Sequence, residues 1–200
     1  MTDAEFYGAY LPVLKQTEQL LLSELQQILE RITPDAESAP AEHIRFRLKS
    51  PESVLEKLRR KELPETAVSA LNHLSDLVGI RIVTHFIGDV YSVLDALQEN
   101  PNWKIVKIKD YIAQPKENGY RSLHIILSVP ADAPQLHDIR AEIQLRTIAM
   151  DCWASLEHQM KYKKHIENAA LISAELKRCA DEMASTDLSM QTIRRMIGMQ

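Results

Sequence analysis

The stretch Tyr111–His124 reads Tyr-Ile-Ala-Gln-Pro-Lys-Glu-Asn-Gly-Tyr-Arg-Ser-Leu-His and joins two kinds of structure. Its first half is predicted to be a loop, because Pro115 lacks a backbone donor and Asn118-Gly119 is a strong turn pair. Its second half leads into a strand with His124 on the polar face. The apolar face carries Leu123, Ile125, Leu127 and Val129. The stretch indicates either a basic, aromatic loop that stacks on a base and meets a phosphate, or a long hairpin with a solvated tip.

A second strand, Ile139–Arg146, shows the same alternation. Its core face is formed by Ile139, Ala141, Ile143 and Leu145. Its other face carries four polar side chains in a row, Arg140, Glu142, Gln144 and Arg146. Such a row is typical of the floor of a binding site rather than of a core.

Basic side chains line another strand and the helix that follows it. In the strand His43–Lys49, apolar residues alternate with His43, Arg45, Arg47 and Lys49. Ser50-Pro51-Glu52 then supplies a cap, a first-turn proline and an acidic first turn. Within the helix, one face carries Ser53, Lys57 and Arg60. Taken alone, this helix also fits an ordinary solvated amphipathic helix.

A single arginine interrupts the predicted buried strand Leu77–Val83. Burying Arg81 without a partner would cost several kcal/mol, so a partner is expected. Asp76 stands just ahead of this strand, where a turn or cap role is the alternative to a functional one.

The rest of the chain is predicted to be mostly helical. Helices are expected over 4–31, 65–75, 89–99, from Thr147 to about Lys164, and as one or two helices over 167–197. One further strand, Trp103–Lys109, carries three lysines. Irregular structure is expected in a connector over 33–42 and in a turn rich in Pro and Asp over 130–138.

Composition narrows the class of protein. The 200 residues are enough for one domain with a real core, or for a domain with a helical appendage. The net charge of −4 argues against a general nucleic-acid binder. The two cysteines exclude a disulfide framework, and neither a signal peptide nor a membrane span is recognisable. We therefore expect a soluble cytoplasmic protein without a membrane partner.

The polar faces together predict a phosphoryl-transfer site. Many cations and few acids suit polyphosphate, and the carboxylates of Asp76 and Glu142 are the hard oxygen ligands that Mg²⁺ prefers. One of them can also act as a general base. The sequence lacks a P-loop, a dinucleotide-binding glycine pattern and a serine-hydrolase elbow. His137-Asp138 is interpreted as part of a turn.

Five segments, in order, resemble the signature of RelA/SpoT-type alarmone synthetase domains. They are Arg47-Leu-Lys49 with Ser53 and Lys57, Asp76-Leu-Val-Gly-Ile-Arg81, the 111–124 stretch, Glu142-Ile-Gln144-Leu-Arg-Thr147, and Trp153-Ala with Glu157-His158. The resemblance covers roughly residues 43–164 and is greatest to stand-alone small alarmone synthetases of the RelQ-like group. It divides the chain into an N-terminal helix and connector (1–42), a catalytic domain (43–164) and C-terminal helices for oligomerisation (165–200).

The resemblance implies a fold and a reaction. The fold is α+β, with a mixed sheet of about five strands flanked by helices, of the nucleotidyltransferase-like kind. The reaction moves pyrophosphate from ATP to the ribose 3′-hydroxyl of GTP or GDP, giving AMP and pppGpp or ppGpp. The resemblance also implies Mg²⁺ as cofactor and a homotetramer built through the terminal helices.

Roles follow residue by residue from the same resemblance. Asp76 and Glu142 would bind Mg²⁺, and Glu142 would also activate the 3′-hydroxyl. ATP would be held by Arg47 and Arg81 around the adenine, and by Lys49, Ser53, Lys57 and Arg60 at the phosphates. GTP or GDP would be held by Tyr120 stacking on guanine, by Lys116, Arg121 and His124 at the phosphates, and by Gln144 and Asp151.

Two departures and one alternative stay open. Asp151 stands where related sequences often carry Asn, which would alter contacts with the acceptor. Lys15 is the only basic residue of the first helix before Arg31, which puts regulation by product alarmone in doubt. The alternative function is an inactive module that binds guanine nucleotides or single-stranded RNA on the same face. Retention of both acids favours the enzyme.

Overall fold

The computed structural model describes residues 1–33, 39–133, 136–161 and 168–198. In chain order the helices are α1 (Asp3–Tyr7), α2 (Leu11–Arg31), α3 (Pro51–Arg60), α4 (Ala67–His73), α5 (Ile87–Gln98), α6 (Ile148–Lys161) and α7 (Ala169–Met196). The strands are β1 (Ala41–Leu48), β2 (Val78–Thr84), β3 (Lys104–Asp110), β4 (Leu123–Ala133) and β5 (Leu136–Thr147). In these described ranges, no helix is both long and apolar enough to cross a membrane.

The strands form one mixed sheet in the order β1-β2-β5-β4-β3. β2 and β5 run parallel, and the other neighbouring strands are antiparallel. The prediction of a mixed sheet of about five strands is therefore confirmed for the described residues. β5 occupies the centre, so the side chains on its polar face have neighbours on both halves of the sheet.

The apolar positions of the strands form one face of the sheet, which α2 and α5 cover. The predicted core face of β5 is buried throughout, as is that of β4 up to Val129. From α2, the core receives Leu14, Leu21, Leu25 and Ile28. Because one face is filled in this way, the register is set and the polar residues of every strand are directed to the opposite face.

The prediction of one continuous helix over 4–31 is wrong. α1 ends at Tyr7, and the capping residue Gly8 has a φ of +52°, which glycine adopts at low cost. A 3₁₀ turn follows, and α2 begins anew with Pro12 in its first turn. The break buries Tyr7, whose hydroxyl donates a hydrogen bond to the backbone oxygen of Lys49 at 2.5 Å.

The predicted turn over 130–138 is wrong for residues 130–133 and 136–138, which belong to strands, and residues 134–135 lie outside the described residues. β4 continues to Ala133 and β5 begins at Leu136, with Pro130 opposite Asp138. β3 has its last partner at Ser128, so Pro130 lies where β4 has a neighbour on one side. Its missing donor is tolerated there. His137 and Asp138 are strand residues instead of turn residues.

The C-terminal region contains one long helix, α7, over the residues described there. It packs on α6 and α5, and the indole nitrogen of Trp153 in α6 donates to the backbone oxygen of Leu176 at 2.8 Å. The predicted end of α6 near Lys164 and the middle of the predicted connector, residues 34–38, lie outside the described residues. The boundaries of the three predicted domains stay predictions.

Candidate active site

The polar face of the sheet carries a row of side chains that crosses all five strands. Register places Arg45 beside Arg81, Arg81 beside Gln144, Gln144 beside His124, and His124 beside Lys109. Directly paired residues project from the same face of a sheet. Residues that lie far apart in the chain therefore form one continuous polar surface.

An adjacent row contains a glycine that opens a cleft. Gly79 lies between Arg47 on β1 and Glu142 on β5. Because Gly79 has no side chain, the space above the sheet between Arg47 and Glu142 is open. Glycine is often found where a ligand approaches the backbone of a strand. The resulting cleft has a volume of about 340 Å³, and its lining includes Arg47, Asp76, Arg81 and Glu142.

Asp76 is held at one end of the cleft by two lysines. Its Oδ2 lies 2.8 Å from the Nζ of Lys49 and 2.7 Å from that of Lys57. The backbone nitrogen of Lys49 bonds to the oxygen of Leu77, so strand pairing brings Lys49 to Asp76, while α3 supplies Lys57. Burial alone raises the pKa of Asp76, but the two lysines outweigh it and the pKa lies below its usual value.

This lowered pKa predicts a pH-dependent stability. A carboxylate whose pKa falls on folding stabilises the protein above its unfolded pKa of about 4, and that stability is lost as the pH falls through the folded value. We expect Asp76→Asn to cost about 1–3 kcal/mol at pH 7, because it leaves two half-buried lysines without a counter-charge. The difference in Tm from wild type should shrink below about pH 4.

Thermal denaturation from pH 7 to pH 3 measures this difference. Glu65→Gln is a matched control. It removes an ion pair with Arg59 that is much more exposed to solvent than the ion pairs of Asp76. A Tm difference for Asp76→Asn that stays constant over this range would contradict the assignment.

Glu142 lies on the central strand, where two neighbours hydrogen-bond to its carboxylate. The Nδ1 of His124 lies 3.2 Å from its Oε1, and the amide nitrogen of Gln144 donates to its Oε2 at 2.8 Å. Burial raises the pKa of Glu142, and so does the negative charge of Asp76, but His124 and Gln144 reverse the shift and the pKa lies below its usual value. Glu142 is therefore an oriented carboxylate that is ionised at neutral pH.

The two carboxylates fit a divalent cation whose other ligands come from a substrate. Among the described residues, Asp76 Oδ1 is buried and has no hydrogen-bond partner, although Oδ2 has two. The same part of the chain contains no cluster of three or more potential metal ligands. Mg²⁺ commonly takes one or two carboxylates and completes its shell with phosphate oxygens and water.

At the other end of the polar face, Tyr120 connects to Glu142 through His124. The Tyr120 hydroxyl accepts a hydrogen bond from Arg146 at 2.6 Å and lies 2.8 Å from His124 Nε2. Its own proton is then available for Nε2, which assigns the ring proton of His124 to Nδ1, facing Glu142. The orientation of the tyrosine ring is thereby coupled to that of the carboxylate.

Asp151 contacts arginines on two neighbouring strands of the polar face, Arg81 on β2 and Arg146 on β5. Its Oδ1 accepts from Arg81 at 3.1 Å and from Arg146 at 3.0 Å. Asp151 is the partner expected for Arg81, whose side chain is partly buried, with 34% exposed. Burial and the nearby charge of Arg146 lower the pKa of Arg81, and Asp151 opposes them, so the guanidinium stays protonated at physiological pH.

The 111–122 loop, residues 111–122 between β3 and β4, folds over this end of the sheet. Lys116 Nζ lies 4.7 Å from the ring centre of Tyr111 and 4.8 Å from that of Tyr120, within cation–π range. The Asp110 carboxylate accepts from the backbone nitrogens of Ile112 and Ala113. Residues 113–117 at the tip of the stretch are exposed, whereas Tyr120 packs against the polar face, so the structure combines features of both interpretations. Base stacking by this loop stays a prediction.

The remaining predicted residues are placed less centrally. Ser53 and Arg60 are exposed on α3, and Arg47 is exposed at the edge of the cleft. Arg121 differs from the other predicted acceptor residues, since its guanidinium is directed toward α7 and contacts Asp181 at 3.0 Å. Its predicted phosphate contact would require it to leave this position.

A comparison with protein-family models agrees with this geometry. The model described as "Region found in RelA / SpoT proteins" matches residues 46–167, more than half of the chain. The chain belongs to this family. The matched region includes every predicted site residue, from Arg47 to Asp151.

Individual RelA/SpoT relatives match most of the chain. It is 43% identical over 157 residues to the GTP pyrophosphokinase YwaC of Bacillus subtilis, covering 78% of this chain and 75% of YwaC. It is 31% identical over 196 residues to the GTP pyrophosphokinase YjbM of B. subtilis, covering 97% and 90%. The structure of small alarmone synthetase 1 from B. subtilis, bound to its product pppGpp, superposes with a TM-score of 0.85 at 29% identity, covering 98% and 100%. These matches confirm the predicted family and fold.

Three residues of this RelA/SpoT site were missed in the sequence. Arg146 was recognised on the polar face but given no role, although it is 4% exposed and contacts Tyr120, Gln144 and Asp151. Gly79 forms the floor of the cleft, and Tyr111 flanks Lys116 and His124. The sequence does contain a signal for Gly79, because it lies inside a predicted strand. Glycine weakens a strand, and its presence there often marks a place where a ligand or another backbone approaches closely.

Proposed function

We propose that this chain is a GTP pyrophosphokinase that makes (p)ppGpp. It transfers the β,γ-diphosphate of ATP to the ribose 3′-hydroxyl of GTP or GDP and releases AMP. The observation that carries the proposal is the position of Glu142, an ionised carboxylate between an arginine-lined cleft and an aromatic loop. Membership of the RelA/SpoT family and similarity to two GTP pyrophosphokinases support it.

In this proposal Glu142 acts as the general base. It accepts the proton of the 3′-hydroxyl while the 3′-oxygen bonds to the β-phosphorus of ATP. The bond between that phosphorus and the oxygen bridging to the α-phosphate breaks, and the electron pair leaves with AMP. Gln144 and His124 hold both carboxylate oxygens in place, which fixes the direction from which the proton is taken.

The two nucleotides are assigned to opposite ends of the polar face. Arg47 and Arg81 line the cleft, where their planar guanidinium groups suit an adenine ring. Lys49 and Lys57, with Arg60 along α3, supply positive charge for the ATP phosphates, and Ser53 on the same helix supplies a hydroxyl donor. Tyr120 presents the ring on which guanine stacks, with Lys116 above it.

Mg²⁺ is the proposed cofactor, held by Asp76 and Glu142 together with ATP phosphates. When bound, it neutralises the charge that develops on the transferred diphosphate. Lys49 and Lys57 would hold Asp76 in position and add positive charge beside the same phosphates.

We expect ATP and GTP with Mg²⁺ to yield AMP and a guanosine carrying two additional phosphates. Anion-exchange chromatography separates these products, and chelation of Mg²⁺ by EDTA should stop their formation. Binding of GTP without formation of either product would overturn the synthetase proposal. That outcome would favour the alternative, a module that binds guanine nucleotides or single-stranded RNA.

Assembly and regulation are finer parts of this proposal. We propose a homotetramer, for which the supporting observation is the apolar surface that α7 and the residue after it expose at Leu188, Ile193, Met196 and Ile197. Regulation by an alarmone or by single-stranded RNA, and a cytoplasmic location, stay predictions. The acidic composition of α2 beyond Lys15 gives no support to an anion-binding site on that helix.

A further inference from the structure

Arg121 in the 111–122 loop forms side-chain hydrogen bonds to helix α7. The guanidinium of Arg121 lies 3.0 Å from the carboxylate of Asp181 and donates to the backbone oxygen of Ala180 at 3.3 Å. It also donates to the oxygen of Gly119 within the loop at 3.1 Å. Arg121 therefore bridges the loop and the helix, and only 17% of its side chain is exposed.

The backbone of the loop lies directly on the helix beside this bridge. Gly119 has a φ of +87°, and a Cβ added to it would be 2.6 Å from the Cβ of Ala180. Both the conformation and the contact require glycine. The ring of Tyr120 packs in the same cluster, together with Ala180 and Trp153.

Helix α7 is itself fixed to the rest of the fold. The Gln191 side chain accepts from the backbone nitrogen of Gly88 at 2.7 Å, and Asp187 accepts from the hydroxyl of Thr147 at 2.5 Å. These contacts connect α7 to the start of α5 and to the end of β5. The helix is thus a support whose position is set by the same sheet that carries Glu142.

We propose that Asp181 is a positioning residue for the acceptor nucleotide. Through Arg121 it holds the 111–122 loop so that Tyr120 faces the site where guanine stacks. This inference rests on the proposed function, and it replaces direct phosphate binding as the role of Arg121. Asp181 itself is half exposed on α7 and does not line the cleft.

Hydrogen exchange in the nucleotide-free protein tests the support directly. The backbone nitrogens of Lys116, Gly119 and Tyr120 are hydrogen-bonded within the loop. We expect Asp181→Ala to accelerate their exchange about two- to fivefold, the coupling expected of one partly exposed ion pair. The matched control is Glu182→Ala, which removes the neighbouring acid on the same helix, paired within the helix to Arg178. It should leave loop exchange unchanged.

Steady-state kinetics test the consequence for the acceptor. Asp181→Ala should raise KM for GTP about two- to fivefold without changing KM for ATP. Arg121→Ala should raise it about tenfold, because two backbone contacts are lost as well. In the Arg121→Ala background, Asp181→Ala should add nothing, since it acts through that arginine. Asp181→Glu should restore part of the wild-type KM.

Several outcomes would overturn the inference, and they differ from a failure of the proposed function. If hydrogen exchange in the loop were unchanged in Asp181→Ala, Asp181 would not hold the loop in place. This conclusion would apply whether or not the protein makes (p)ppGpp. Faster exchange with an unchanged KM for GTP would remove the positioning role. If Arg121→Ala raised KM for GTP much more than for GDP, the arginine would contact the terminal phosphate directly. Absence of product from wild type would instead overturn the synthetase proposal and leave the exchange result valid.

Discussion

Glu142→Gln is expected to reduce turnover by at least about 10³-fold while the protein stays folded. The amide cannot accept the proton of the 3′-hydroxyl, and it is a poorer ligand for Mg²⁺ than a carboxylate. The shape is preserved, so Gln144 can donate to the new oxygen. His124 can accept from the new amide once its ring proton moves from Nδ1 to Nε2, where the Tyr120 hydroxyl can accept it. Stability should therefore change by no more than about 1 kcal/mol. Single-turnover formation of AMP, with melting measured on the same preparation, gives both results.

A control on the same strand separates this effect from a general loss of charge. Asp138 lies on β5 on the same face as Glu142 and accepts from Ser128 at 2.6 Å, outside the cleft. Asp138→Asn should leave turnover near the wild-type rate. If Glu142→Gln had wild-type turnover, Glu142 would not be the general base, and Asp76 would be the next carboxylate to test for that role.

Tyr120→Ala is expected to raise KM for GTP by about 5- to 150-fold, with KM for ATP changing less than about threefold. The loss corresponds to one base–aromatic stack of about 1–3 kcal/mol. The structure adds a complication, because the Tyr120 hydroxyl also contacts Arg146 and His124. Loss of the ring therefore also removes a contact on the path to Glu142, and kcat should fall with it.

Tyr120→Phe separates the two contributions. It keeps the stacking ring and removes the hydroxyl, so KM for GTP should stay within about threefold of wild type while kcat falls. If Tyr120→Ala raised KM for ATP as much as KM for GTP, the stacking role would be wrong. The loss of ATP affinity would then be explained by the chain of contacts from Tyr120 through Arg146 and Asp151 to Arg81, which is assigned to ATP.

Much of the site was predictable because strands alternate with a period of two. The alternation separated Glu142 and Gln144 from the core face of β5, and it set His124 apart on β4. The break between α1 and α2 is present in the sequence as Gly8 and Pro12, whereas the apolar stripe continues across both residues and therefore predicts one helix. In the same way, Pro130 favours a turn in the sequence, but it is accommodated in β4 because one side of the strand has no β3 partner at that point.

The sequence alone determined which residues share a face within each strand, and the order of its motifs determined the family. Tertiary structure decided which faces meet. Arg81 became a neighbour of Gln144 through the parallel pairing of β2 with β5, and Asp151 became its partner through the direction in which α6 leaves the sheet. Arg121 was directed to Asp181, 60 residues away, instead of toward the polar face. Periodicity describes one element at a time, whereas these contacts depend on how separate elements dock, and docking is set by the packing of the whole core.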